Sequence, residues 1–125
     1  MAQPAWSWKG TWTVEAEKND WSSWKVKRAG GAGDEALLVF QGTGVAVVGT
    51  MAQDGGRADV YLDGAKAGEI DAWIPERTYD SDYWHVTGLA NGPHTVRIVI
   101  RGDADARSGG RRVQLERAIV YGPRP

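Results

Sequence analysis

The 125-residue chain carries fifteen Lys and Arg against sixteen Asp and Glu, a formal charge of −1, and no cysteine. That length fits a single domain over residues 1–125, which buries roughly two-thirds of its unfolded surface and needs no covalent staple. Near-neutrality removes the global electrostatic case for nucleic acid or an anionic membrane. The missing cysteines exclude disulfides, thiolate catalysis and Cys-ligated zinc, and no apolar run approaches the ~18 residues of a membrane span. Seven Trp stand against a single Phe. Cores use Phe at least as freely as Trp, so the excess points to Trp residues that serve a surface. The opening M-A-Q-P-A-W has no basic segment followed by an apolar one, and a Met directly before a domain-like start fits a domain cut from a longer chain.

In chain order, short segments rich in Val, Ile, Trp and Tyr alternate with period two between closely spaced Gly residues, a pattern of strands rather than helices. The expected strands are residues 12–17, 24–28, 36–41, 45–50, 57–62, 66–72, 83–87, 94–101 and 111–121. Asp63-Gly64 between V-Y-L and A-K-A-G-E-I predicts a two-residue type I′ hairpin, because both central residues must take positive φ. Asn91-Gly92-Pro93 predicts a turn, with Pro placed before the strand begins. In T-V-R-I-V-I-R, Val96, Ile98 and Ile100 alternate with Arg97, Val99 and Arg101, which gives one apolar and one mixed face. Strands at this spacing predict an all-β sandwich of antiparallel sheets.

Residues 73–84, W-I-P-E-R-T-Y-D-S-D-Y-W, pack four aromatic rings, two Asp, a Glu and an Arg into a segment read as a loop. A pyranose offers one apolar C–H face and a rim of hydroxyls, so such a composition suits a sugar: a flat aromatic platform with charged hydrogen-bonders around it. Trp73, Tyr79 and Tyr83 are the candidate platform, and Arg77, Asp80 and Asp82 the polar contacts. Two further loops are candidates to complete the site. In N-D-W-S-S-W, Trp21 is the outward ring and Trp24 the core member. In D-A-D-A-R-S-G-G-R-R, Arg107 with Arg111 and Arg112, together with Lys25 and Lys27, offers a basic rim suited to uronate or sulfate groups. The competing reading of that loop is a solvated one balanced by Asp103 and Asp105.

Catalytic signatures are missing: the chain contains no G-x-S-x-G, H-E-x-x-H or phosphate-cradling glycine loop. His94 follows Gly-Pro and reads as structural; His85 falls on the wet side of its strand. Asp80 and Asp82 are the one pair that hints at a glycosidase, but that chemistry needs carboxyls ~5–10 Å apart across a deep cleft, which a small sandwich seldom builds.

The strand F-Q-G-T-G-V-A-V-V-G, the hairpin D-G-G-R-A-D-V-Y-L-D-G, the turn G-L-A-N-G-P-H-T-V-R-I-V-I and the last strand V-Q-L-E-R-A-I-V-Y, taken in that order, resemble the galactose-binding-like β-sandwich superfamily over residues 36–121. The resemblance implies a jelly roll that is secreted as an accessory module of a glycoside hydrolase, lyase or esterase, commonly a carbohydrate-binding module. The stretch T-V-E-A-E is similar to the opening strand of calcium-containing modules of this fold, where two Glu and a last-strand carboxylate hold a structural ion. Glu15, Glu17 and Glu116 occupy the matching places. Glu15 and Glu17, two apart on one strand, share a face, and a hard cation wants several oxygens at ~2.3–2.6 Å. The last strand here reads L-E-R where those modules have L-D or I-D.

The functional expectation is a non-catalytic carbohydrate-binding module that tethers a larger enzyme to a polysaccharide or oligosaccharide. The alternative is an interaction domain whose Trp73, Tyr79 and Tyr83 pack against the catalytic domain.

Overall fold

A computed structural model describes residues 4–18 and 24–123, with side chains described outside residues 15–28. The strands are β1 (Ala5–Lys9), β2 (Thr13–Lys18), β3 (Trp24–Gly30), β4 (Glu35–Gly42), β5 (Gly44–Met51), β6 (Arg57–Leu62), β7 (Ala65–Asp71), β8 (Thr78–Val86), β9 (Gly92–Ile100) and β10 (Val113–Tyr121). They form two antiparallel five-stranded sheets, ordered β1-β4-β9-β6-β7 and β2-β3-β10-β5-β8. Counted from β3, the order is that of a jelly roll of two interleaved Greek keys, and β1 and β2 each add one strand to an edge. Among the described residues no helix is long and apolar enough to cross a membrane.

The core is the set of inward positions that period-two alternation selects. Leu38, Val60, Val96 and Ile98 from one sheet face Val45, Val47, Val113 and Leu115 from the other, all 2% exposed or less. The alternation expected in β9 is observed: Val96, Ile98 and Ile100 are buried, while Arg97 carries its guanidinium out over the Tyr61 ring at 4.4 Å. The hairpin between β6 and β7 has Asp63 at φ 50° and Gly64 at φ 89°, as a type I′ turn requires.

β1 lies outside the strand pattern expected from the sequence. Its A-W-S-W-K is short and sits at an edge, where it pairs with β4 alone, Trp6 opposite Leu38 and Trp8 opposite Ala36. Trp6 stacks on Trp8 with centroids 5.1 Å apart, and Trp8 meets Trp12 edge-on at 4.8 Å. The Trp12 indole N–H is shared between the Lys9 and Glu35 carbonyls. These three rings pack on the core and close one flank of the sandwich. Trp84 packs on the core at the other flank, so close to β7 that a Cβ at Gly68 would lie 2.8 Å from its Nε1. The Trp excess thus has a structural use at the open sides of the two layers.

β8 begins five residues earlier than the apolar pattern indicates. It is an edge strand paired only with β5, so its outer side accepts the polar Asp80 and Asp82. Two irregularities interrupt its pairing, between Val47 and Val48 and between Gly49 and Met51 of the partner strand. One leaves Tyr83 as an extra residue, which lets the consecutive Tyr83 and Trp84 both turn inward. Tyr83, expected in the ligand platform, is therefore a core residue only 8% exposed. Its hydroxyl donates to the Thr50 carbonyl and accepts the Gln114 N–H at 3.2 Å, and burial pushes its phenol pKa well up. Gly49 makes room for the ring, since a Cβ there would stand 2.3 Å from it.

His94 locks the β6–β7 hairpin to the start of β9. One ring N–H donates to Asp63 Oδ2 at 2.7 Å and the other to the Ala90 carbonyl at 2.7 Å. The second Asp63 oxygen accepts the Thr95 N–H at 2.8 Å. Both ring nitrogens face acceptors, so the folded state favours the imidazolium. The Ala90 carbonyl, then Asp63, raise the His94 pKa, and His94, then the Thr95 N–H, lower that of Asp63.

Two predictions follow from these contacts. Tyr83→Phe removes the buried hydroxyl that bonds Thr50 and Gln114 and should cost about 1–3 kcal/mol, and Gly49→Ala, which overpacks the same site, a similar 1–3 kcal/mol. Chemical denaturation checks both. The His94 contribution is fully present below the unfolded histidine pKa and is lost as the pH rises through the raised folded value; the Asp63 contribution is lost as the pH falls through its lowered one. Melting temperature against pH should decline on both sides of that window, with the alkaline decline flattened in His94→Gln.

Candidate functional site

Three connections meet at one end of the sandwich: residues 52–56 between β5 and β6, 72–77 between β7 and β8, and 101–112 between β9 and β10. Their backbones are stitched together. Ala52 pairs with Trp73 as a parallel bridge; the Ala52 N–H donates to the Ala72 carbonyl at 3.0 Å and the Ile74 N–H to the Ala52 carbonyl at 3.1 Å. Gly109 and Arg112 donate to the Gln53 and Asp54 carbonyls, both at 2.8 Å. Only glycine permits this approach: a Cβ on Gly55 would lie 1.9 Å from the Ala72 carbonyl oxygen, and one on Gly56 2.4 Å from that of Arg111. The loops therefore form a braced floor for an open groove of about 730 Å³ whose lining includes Gln53, Asp54, Trp73, Pro75, Arg77 and Arg107.

Trp73 and Arg107 are the centre of the groove. The guanidinium of Arg107 lies over the Trp73 ring, 4.0 Å from its centroid, in the geometry of a cation–π contact. Asp105 fixes that guanidinium with a two-point bond, accepting Nε–H at 2.9 Å and Nη2–H at 3.1 Å, and also takes the Arg107 backbone N–H at 2.9 Å. These bonds hold the Asp105 carboxyl far below the usual carboxylate range and raise the Arg107 pKa. On the backbone side, the Trp73 N–H donates to Asp71 Oδ1 at 3.2 Å. Its indole Nε1 is buried with no hydrogen-bond partner among the described residues. Arg77 lines the same groove and has no acidic partner among the described residues.

The sequence-predicted residues divide into four places. Trp73, Arg77 and Arg107 come together in the groove. Tyr79, 43% exposed, and Asp80 and Asp82 lie on β8, outside the groove lining. Asp80 takes a left-handed φ of 54°, donates its N–H to Glu116 Oε2 at 3.1 Å and faces Arg117 Nη2 at 3.4 Å. Asp82 accepts the His85 Nδ1–H at 2.5 Å. Tyr83 belongs to the core. Trp21 lies outside the described residues, as do the side chains of Trp24, Lys25 and Lys27.

Of the expected calcium ligands, Glu15 and Glu17 have their backbones on β2 and their side chains outside the described set. Glu116, on β10, receives the Thr50 hydroxyl at 2.9 Å and the Asp80 N–H on the same oxygen, Oε2. β3 stands between β2 and β10 in the sheet. Among the described residues no three carboxylates or His side chains gather as a metal site.

Gln53, Asp54 and Asp105 were not among the residues the sequence singled out. The signal available for the first two was the turn composition Q-D-G-G between strands 45–50 and 57–62, which places polar groups at the same end as residues 73–77. Asp105 was visible only as a counter-charge; its role in aiming Arg107 at Trp73 depends on a contact between separate loops.

No family model matches the chain. Over 90 residues, 72% of its length, it is 36% identical to part of the A type blood alpha-D-galactosamine galactosaminidase of Flavonifractor plautii. Over 67 residues, 54% of its length, it is 36% identical to part of the A type blood N-acetyl-alpha-D-galactosamine deacetylase of the same organism. The matched region is 8% of the length of each enzyme. The structure of a Paenibacillus xanthan lyase superposes on 90% of the chain with a TM-score of 0.59 at 12% identity, over 12% of that protein's length. This likeness establishes the sandwich fold. The two Flavonifractor matches make the chain similar to a small piece of carbohydrate-active enzymes.

Proposed function

We propose that the protein is a non-catalytic carbohydrate-binding module, attached outside the cell to a larger carbohydrate-active enzyme, with its site in the groove around Trp73. The observation that carries the reading is the half-buried Trp73 ring in an open groove whose lining also includes Gln53, Asp54, Arg77 and Arg107, on a floor of braced backbone. A second line of support is chemical. The two Flavonifractor matches are together longer than the chain and so overlap in it, yet one enzyme cleaves a glycosidic bond and the other removes an acetyl group. A segment shared by enzymes of two different reactions supports a non-catalytic role, and both printed names refer to an A type blood galactosamine glycan. Tethering raises the local concentration of enzyme on that glycan even when each contact is weak.

The side chains fit binding better than turnover. His85 and Asp82 form an exposed pair on β8, and no serine or threonine hydroxyl donates to that histidine among the described residues. Arg77, Arg107, Gln53 and Asp54 instead offer donors and acceptors around an aromatic ring, the equipment for holding hydroxyls.

Trp73→Ala should weaken binding to a polysaccharide retained by the parent chain by about 1–3 kcal/mol while the fold stays intact. Isothermal titration and a thermal melt, run together, check this, and neither protein should hydrolyse aryl glycosides or acyl esters. Unchanged affinity in the variant would remove the groove as the site and favour the interaction-domain alternative. Turnover lost on mutating Asp82 would overturn the non-catalytic reading.

Structural calcium is a separate proposal for Glu15, Glu17 and Glu116. An ion bound only by the folded chain raises its stability through linkage, so chelation with EDTA should lower the melting temperature and added calcium restore it. An unchanged melt removes the ion and leaves the groove reading intact.

A further inference from the structure

A neutral pyranose is held best by a bare aromatic face, because its C–H groups pack on the ring with nothing between. Trp73 does not offer that face. The Arg107 guanidinium already covers it at 4.0 Å, and two bonds to Asp105 through Nε and Nη2 keep it there. Nη1 is the guanidinium nitrogen that these bonds leave unengaged. Arg77 lines the same groove without an acidic partner among the described residues. Two planar forks in one groove, one aimed and one uncompensated, are a receptor for a planar or tetrahedral oxyanion.

We infer that the groove selects a sugar bearing a carboxylate or sulfate group, with Arg77 as the main charge contact and Arg107 as the aimed donor on the Trp73 ring. This rests on the groove being a glycan site. Asp54, in the same lining, is suited to accept from a neighbouring hydroxyl and disfavours an anion on its own side, which fixes the orientation of the acidic sugar. The net charge of −1 supplies no long-range attraction, so the preference is local to the groove and survives moderate salt.

The test uses the full chain with two matched pairs of polymers: polygalacturonate against its carboxyl-reduced product, and κ-carrageenan against agarose. At about 0.15 M salt, at least one acidic polymer should bind about tenfold or more tighter than its neutral twin, and Arg77→Gln should erase that difference without lowering the melting temperature. Which pair shows the difference tells carboxylate from sulfate. Lys66→Gln, on β7 outside the groove lining, should leave it unchanged. Equal binding of acidic and neutral twins, with Trp73→Ala still abolishing both, overturns the oxyanion inference and keeps the binding module. Retention of none of the four polymers overturns the inference, as does an equal loss in Arg77→Gln and Lys66→Gln.

Discussion

Tyr83 bonded across three strands is the contact on which the arrangement at the site depends. Its phenol lies in the core over Gly49 and ties β8 to the Thr50 carbonyl of β5 and the Gln114 amide of β10. A buried hydroxyl with two satisfied bonds is costly to move, because the hydroxyl itself would lose both bonds inside the core. β8 is an edge strand interrupted by two irregularities in its pairing with β5, and without such an anchor its register would be weakly specified. Fixing Tyr83 fixes where β8 starts, and thereby the connection that carries Trp73, Pro75 and Arg77.

From that anchor the groove follows by backbone geometry. The Gly55-Gly56 pair lets the β5–β6 connection approach Ala72 and Arg111 closer than any side chain would permit, and the hydrogen bonds among the three loops are mainly peptide to peptide. Groups held this way are displaced little when a ligand arrives, so less ordering entropy is lost on binding. Above that floor stands Arg107. Its side chain is mostly exposed, and its position over Trp73 is set by Asp105 and by the ring itself. The site thus combines a stiff floor with one charged arm held over an aromatic ring.

Much of the fold was legible because local rules decide it. Alternation of Val and Ile marked the buried face of β9, and Asp63-Gly64 marked its own turn. Tyr83 and Trp84 escaped the same rules: strict alternation turns adjacent residues to opposite faces, and only an irregular pairing with β5 brings both inside. β1 escaped because an edge strand of five residues has one neighbour and little apolar content beyond its two Trp. The abundance of Trp was a correct sign of something unusual, but Trp6, Trp8, Trp12 and Trp84 answer to the flanks of the sandwich rather than to a ligand. At the site, the residues that belong together were recognisable by type in two separate loops, Trp73 with Arg77 and Arg107. Their pairing, and the exclusion of Tyr79, Asp80 and Asp82 from the groove lining, depend on how far β8 extends, which composition does not encode.

The central claim, that a glycan enters the groove at Trp73, is tested most directly by following indole N–H resonances in a ¹⁵N-labelled sample during titration with an oligosaccharide of any polymer the chain retains. The account predicts that the Trp73 Nε1–H shifts and saturates together with the backbone amides of Gln53 and Arg77, while the indoles of Trp6, Trp8 and Trp12 stay in place. A saturating shift at those three, or at the β8 residues Tyr79 and Asp82, with Trp73 unmoved, would contradict it.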